Sequence, residues 1–179
     1  MLTLTSIQTT HRHYPFVENL LHQSFPLNER RDDDAQRYNT DHNPHFNCYL
    51  ITENREETPV GIITVWELEG FRYVEHLATS PDLRNRGYGK HIMEQLKNLF
   101  PGIIILEVER PEEEMSRRRI EFYKRCGFSL CEQDYIQPSY RKEGGEGVPL
   151  YLMYAGTDNI DSSFSAIRKE IYREVYGVE

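Results

Sequence analysis

Cysteine is scarce, with Cys48, Cys126 and Cys131 the only three in 179 residues. So small and odd a set offers no disulfide framework and suits a reducing cytoplasm. No apolar run approaches the ~20 residues that span a bilayer. The opening MLTLTSIQTTHRHYPF has no basic start followed by an apolar stretch, so no secretory leader is expected. Positive charge is also short: 21 Lys and Arg against 29 Asp and Glu give a net charge of −8. That balance excludes a general nucleic-acid binder and permits a cationic substrate. Metal ligands are missing as a set. His11 with His13, and His42 with His45, are pairs without a third partner, and Cys126 with Cys131 has no zinc spacing. No cysteine lies beside a signature that would activate it as a nucleophile. Repeats and low-complexity tracts are absent. What remains is ordinary globular material, 38% hydrophobic and 28% charged, enough for one sizeable core.

The most informative stretch runs from Phe71 to Phe100. Phe71, Tyr73, Glu75, Leu77 and Thr79 alternate with Arg72, Val74, His76 and Ala78, the pattern of a strand. Pro81 and Asp82 end it. Beyond Gly89, the residues Ile92, Met93, Leu96, Leu99 and Phe100 form an apolar helical stripe. Between strand and helix lies Arg84-Asn85-Arg86-Gly87-Tyr88-Gly89-Lys90. Glycines at a loop-to-helix junction let backbone N–H groups approach an anion, and the helix start adds unpaired donors. Arg84, Arg86 and Lys90 add full charge. The segment is either a pyrophosphate cradle or a glycine-relaxed turn with solvated basic residues. A dinucleotide fingerprint is disfavoured, because Ile92 stands where its third glycine would be.

These residues carry a resemblance. The pattern L-A-T-x-x-P-x-x-R-x-x-G-x-G resembles the acyl-CoA loop of the GNAT superfamily of CoA-dependent N-acetyltransferases. Downstream, Ile120-Glu121-Phe122-Tyr123-Lys124-Arg125-Cys126-Gly127-Phe128 is similar to that family's I-x-F-Y-x-x-x-G-F helix and turn. Two elements in order and at the right separation are far more specific than either alone. The similarity covers roughly residues 1–155, with its sharp motifs in 71–128, and FPLNERR looks like a subset of bacterial members. It implies acetyl-CoA as co-substrate. Leu77, Ala78 and Thr79 would meet the pantetheine arm, and Arg84 through Lys90 the pyrophosphate. The Leu77 amide would be the donor to the thioester carbonyl. Tyr123 takes the position of the family's acid, although as a residue it reads equally as an aromatic anchor beside Phe122. Ser116 and Arg119 stand where the family usually has an asparagine and a small residue close to CoA. Arg118 or Arg119 either contacts a phosphate or belongs to a salt-bridged helix face. Glu29 and Arg30 lie in the segment expected to overhang the acceptor.

The base is less specified. Glu75 lies two residues before Leu77 on the same strand face, and apolar burial would raise its pKa toward a useful range; otherwise it is an exposed strand carboxylate. His76 faces the other way. Glu107 and Glu109, where a buried strand emerges, can order a water instead. The expected activity is acetyl transfer to a small or peptide amine. The alternative is a non-catalytic acyl-CoA-binding module of the same fold, which the departures at Ser116 and Arg119 favour.

In chain order, strands are expected at 2–7, 46–52, 60–66, 71–79, 103–108, 128–136 and 149–155, and helices over 14–25, after Asn28, after Gly89 and from Ser116 to Cys126. Polar loops are expected over 53–59 and 138–147. This order predicts an α/β protein of the α+β type, with a mixed, mainly antiparallel sheet of about seven strands flanked by helices. Ile160, Phe164, Ile167, Ile171 and Val175 repeat at helical spacing and predict an extra helix over 157–179. That helix either packs on the 1–156 domain or forms a homodimer contact.

Overall fold

The computed structural model describes residues 1–53, 58–141 and 143–179. The centres of the two predicted polar loops, at 54–57 and at 142, lie outside the described residues. Seven strands occur: β1 (Leu2–Ser6), β2 (Phe46–Glu53), β3 (Thr58–Leu68), β4 (Phe71–Thr79), β5 (Ile104–Glu109), β6 (Ser129–Gln137) and β7 (Val148–Ala155). They follow one another across one mixed, mainly antiparallel sheet as β1-β2-β3-β4-β5-β7-β6. The helices are α1 (Tyr14–Ser24), α2 (Asp33–His42), α3 (Tyr88–Leu99), α4 (Glu114–Arg125) and α5 (Phe164–Ile171). The chain forms two compact units, residues 1–67 with 74–99, and residues 68–73 with 100–179.

In the first unit, β2 pairs antiparallel with both β1 and β3. Ile51, Ile62, Ile63 and Val65 are fully buried, and α1 contributes Val17, Leu20 and Leu21. Helix α3 buries Ile92, Met93 and Leu96 but leaves Leu99 about half exposed, so the predicted stripe is one residue too wide. The helix expected after Asn28 is instead a single 3-10 turn, Leu27–Glu29. Helix α2 starts only at Asp33, because Asp32 supplies the cap: its side chain accepts the Ala35 N–H at 2.8 Å.

In the second unit, β7 lies between β5 and β6 and is antiparallel to each. Ile104, Ile105 and Leu106 of β5 are buried. The sequence puts the start of α4 at Ser116, a residue type suited to capping, but the helix begins earlier, at Glu114. Ser116 sits inside it and donates its hydroxyl to Glu109 Oε2 at 2.7 Å. After β7 the chain makes a 3-10 turn (Asp161–Ser163), α5, and a π-helical turn (Tyr172–Tyr176). Ile160, Phe164, Ile167, Ile171 and Val175 are all buried, so the apolar stripe continues through three helix types.

Candidate active site

In the first unit, β4 ends where Ser80 N–H donates to Val60 O at 2.8 Å. β3 and β4 approach closely here, since a Cβ on Gly61 would lie 2.6 Å from Ala78 O. Pro81–Leu83 makes a 3-10 turn, and the chain then visits left-handed conformations twice, at Asn85 (φ 64°) and Gly87 (φ 79°). Asparagine is among the few side chains that tolerate this region, and glycine enters it without strain. Helix α3 starts at Tyr88, with Gly87 O accepting the His91 N–H at 3.4 Å. The N–H groups of the first turn precede any intrahelical acceptor. The Tyr88 hydroxyl donates to Glu53 Oε2 at 2.6 Å and ties this turn to β2; that bond raises the phenol's pKa. Arg84 and Arg86 are exposed and make no ion pair among the described residues, while Lys90 lies 4.0 Å from Glu94. Oriented amides, two left-handed residues and three exposed cations suit a phosphate-bearing ligand.

The same unit contains a buried ionic cluster. Glu75 of β4 has no exposed side-chain surface. Both its oxygens are held by Arg31, with Arg31 Nη1 2.9 Å from Oε2, and Trp66 Nε1 donates to Oε2 at 3.1 Å. The Arg31 guanidinium also donates to Gln36 at 2.8 Å and lies over the rings of Trp66 and Phe46, at 5.6 and 5.9 Å. Desolvation pushes the Glu75 carboxyl up, but Arg31, His76 and the two hydrogen-bond donors outweigh it, and its pKa is lowered. The upward shift expected from the sequence does not occur, because Arg31 brings a counter-charge into the strand's apolar surroundings. His76 is also buried. Its Nε2 lies 2.9 Å from Glu29 O, and Phe25 meets its ring edge-on at 4.5 Å. Arg30 donates Nε to Phe25 O at 3.1 Å and its Nη1 lies 3.7 Å from Asp33. These bonds fasten residues 25–33 to β4. Glu29 and Arg30 are half-buried within this fastening.

Desolvation lowers the His76 pKa below its ordinary 6.5. The folded state therefore keeps His76 neutral over a range in which the unfolded chain would protonate it. Its contribution to stability is complete above pH 6.5 and is lost as pH falls toward the folded pKa. Glu75 behaves likewise below its ordinary 4.5. We expect Tm to decline in two steps on acidification, the first starting below about pH 6.5, where an unperturbed histidine titrates. Thermal melts of the parent and a His76→Asn variant across pH 4–8 check this; if both lose stability equally between pH 6.5 and 4.5, the assignment to His76 fails.

In the second unit, Tyr123 lies in the last turn of α4. Phe128 N–H donates to Tyr123 O and Gly127 N–H to Lys124 O, both at 3.0 Å, and Gly127 has φ 89°. This is a Schellman termination. Its customary apolar contact is made by the Tyr123 and Phe128 rings, 5.9 Å apart, with Phe122 flanking at 5.2 Å. The F-Y-x-x-x-G-F pattern is thus a helix stop that fixes the phenol ring. Among the described residues the Tyr123 hydroxyl has no hydrogen-bond partner. Desolvation raises its pKa, against a smaller opposing effect of Arg119, so it is a proton donor at neutral pH. Arg119 is exposed, and Arg118 pairs with Glu114 at 2.6 Å on the helix surface.

The model of the acetyltransferase (GNAT) family matches residues 14–128. A protein of Bacteroides thetaiotaomicron assigned to the same family is 43% identical, with TM-score 0.93 and 99% of each chain covered. The chain belongs to the GNAT acetyltransferase family. More distant likenesses show the shared fold. A spermidine N-acetyltransferase chimera from Vibrio cholerae and hSSAT gives TM-score 0.64 at 17% identity, covering 86% of this chain and 94% of that one. A Bacillus subtilis acetyltransferase in complex with CoA gives TM-score 0.58 at 15% identity, covering 87% and 98%. No curated protein sequence matches significantly. The family uses acetyl-CoA or CoA, and the phosphate-suited segment of this GNAT chain is the one containing Arg84–Lys90. Among the described residues no group of His, Cys, Asp or Glu is arranged to hold a metal, and no helix is long and apolar enough to cross a membrane.

Sequence reasoning missed Arg31 and Trp66 as partners of Glu75. An acid inside the alternation of a central strand was the available signal, since a buried carboxylate demands a partner. It also missed a second cluster, in which Tyr73, Tyr135 and Tyr176 gather around Glu107 from separate parts of the second unit. Nothing in their spacing announces that convergence.

Proposed function

We propose that this GNAT member transfers the acetyl group of acetyl-CoA to a primary amine by direct attack. The amine nitrogen adds to the thioester carbonyl and loses a proton, the tetrahedral intermediate collapses, and the C–S bond breaks to give the amide and CoA thiol. The left-handed turn and helix start at Arg84–Lys90 carry this reading, because they match the needs of a pyrophosphate. Leu77, Ala78 and Thr79 align the pantetheine arm, with the Leu77 amide donating to the developing oxyanion. Tyr123 gives the thiolate its proton. Glu107, which emerges half-buried from β5, orders the water that takes the amine proton. Glu75, already committed to Arg31 and Trp66, is a weaker candidate for base than the strand alone suggests. Glu29 and Arg30 line the acceptor approach, and Ser116 and Arg119 flank the cofactor. The spermidine acetyltransferase likeness supports an amine acceptor in general terms.

Titration calorimetry with acetyl-CoA, with NADH as control, followed by thiol release against small amines, polyamines and peptide N-termini, tests this reading. Micromolar acetyl-CoA binding with amine-dependent thiol release is expected. Tight acetyl-CoA binding without thiol release for any amine would favour the non-catalytic acyl-CoA module.

A further inference from the structure

We infer that Tyr176, from the π-helical turn after α5, is a positioning residue for the Glu107 carboxylate. The inference rests on the role proposed above for Glu107. The Tyr176 hydroxyl lies 3.1 Å from Glu107 Oε1 and 3.0 Å from Oε2, and Tyr135 donates to Oε1 at 2.5 Å. The direction of the Tyr176 proton is set by its other neighbours. Gln137 Nε2 donates to the Tyr176 oxygen at 3.0 Å, and the Tyr73 hydroxyl lies 3.3 Å from it. Gln137, Tyr73 and Tyr135 are buried, and desolvation holds the Tyr73 and Tyr135 phenols well above their usual pKa, so both remain donors. With Gln137 donating to its oxygen, the Tyr176 hydroxyl donates its own proton to the Glu107 carboxylate.

The backbone is built to deliver this hydroxyl. The wider π turn places Tyr172 and Tyr176 on one side, where Tyr172 donates to Ile136 O and Tyr176 reaches Glu107. Gly177 closes the turn in the left-handed region, and Val178 N–H returns to Tyr172 O at 3.0 Å. π turns are rare and frequent at functional sites. A carboxylate oriented by fixed donors presents its free lone pairs in one direction, as ordering a water requires.

Tyr176→Phe keeps the ring and deletes the donor. In the full chain we expect at least a tenfold lower kcat, an unchanged Kd for acetyl-CoA, and an acid limb of the kcat/KM profile moved to higher pH. Carboxyl-carbon NMR of [13C]glutamate-labelled protein, with Glu107 assigned through Glu107→Gln, reads the same effect without turnover: the Glu107 titration moves to higher pH in the variant. Tyr172→Phe is the control, since it loosens the same turn without removing a hydrogen bond to Glu107, and it should move both profiles far less than Tyr176→Phe does. An unmoved Glu107 titration in Tyr176→Phe, or an equal shift in Tyr172→Phe, overturns the inference. Should the parent protein turn over no amine, the catalytic reading fails while the NMR titration still decides the positioning.

Discussion

Replacing Arg31 by alanine is expected to destabilise the protein by about 3–5 kcal/mol at neutral pH, the usual consequence of stranding one partner of a buried ion pair. For a chain of this size that is a fall in Tm on the order of 10 °C. The reason lies in the surroundings of Glu75, whose side chain is fully buried while that of Arg31 is 7% exposed. Without the guanidinium, desolvation, the largest effect on the carboxyl, is opposed only by the weaker influences of His76 and Trp66, and its folded pKa rises above the unfolded one. A group raised in the folded state stabilises below its unfolded pKa and loses that contribution as pH rises, so the variant's deficit should shrink on acidification. Pairing Arg31→Met with Glu75→Leu should recover most of the loss, because a well-packed apolar pair is often as stable as a buried ionic one. Denaturant titrations of the parent, Arg31→Ala and the Arg31→Met/Glu75→Leu double variant at pH 5 and 8 measure this. A deficit in Arg31→Ala below about 1 kcal/mol, independent of pH, would mean that water or a rearranged side chain replaces Arg31, since even a surface ion pair is worth up to that much.

Tyr123→Phe is expected to lower kcat by about 10²–10⁴-fold, the range associated with loss of a positioned general acid. The variant retains the ring that packs on Phe128 and Phe122, so the Schellman turn and the global stability should change by less than about 1 kcal/mol, the scale of surface-like substitutions. Acetyl-CoA affinity should be unchanged. Because burial raises the Tyr123 pKa above its ordinary 10.0, the parent enzyme should show no loss of activity from phenol ionisation below that pH. Stopped-flow thiol release over pH 6–10 with a saturating amine gives both results. Unaltered turnover in Tyr123→Phe would leave the phenol only its role as the apolar anchor of the helix stop.

Read together, the two variants separate functions that local pattern merges. The alternation of β4 identified Glu75 as a special position and misjudged its chemistry. A strand period reports which face a side chain takes but not what arrives to meet it, and Arg31 is 44 positions away in sequence. The same limit applies to Ser116, an apt helix cap by residue type whose hydroxyl went to Glu109 once α4 began at Glu114. Asp32, one of three consecutive aspartates, became the cap of α2 because the preceding residues were drawn into a 3-10 turn held by Phe25, Arg30 and His76.

Local periodicity and turn chemistry determined the seven strands, their order along the chain, the glycine-bearing loop at 84–90 and the Gly127 helix stop that fixes Tyr123. All of these are short-range: a two- or 3.6-residue period, a left-handed residue, a proline. Tertiary structure alone decided which charges are paired and which hydroxyls converge. The Arg31–Glu75 contact and the phenols around Glu107 join residues 28 to 69 positions apart, or more. Burial at those contacts, rather than residue identity, sets whether a carboxylate is an anchor or a base, because desolvation and counter-charge act in opposite directions on the same group.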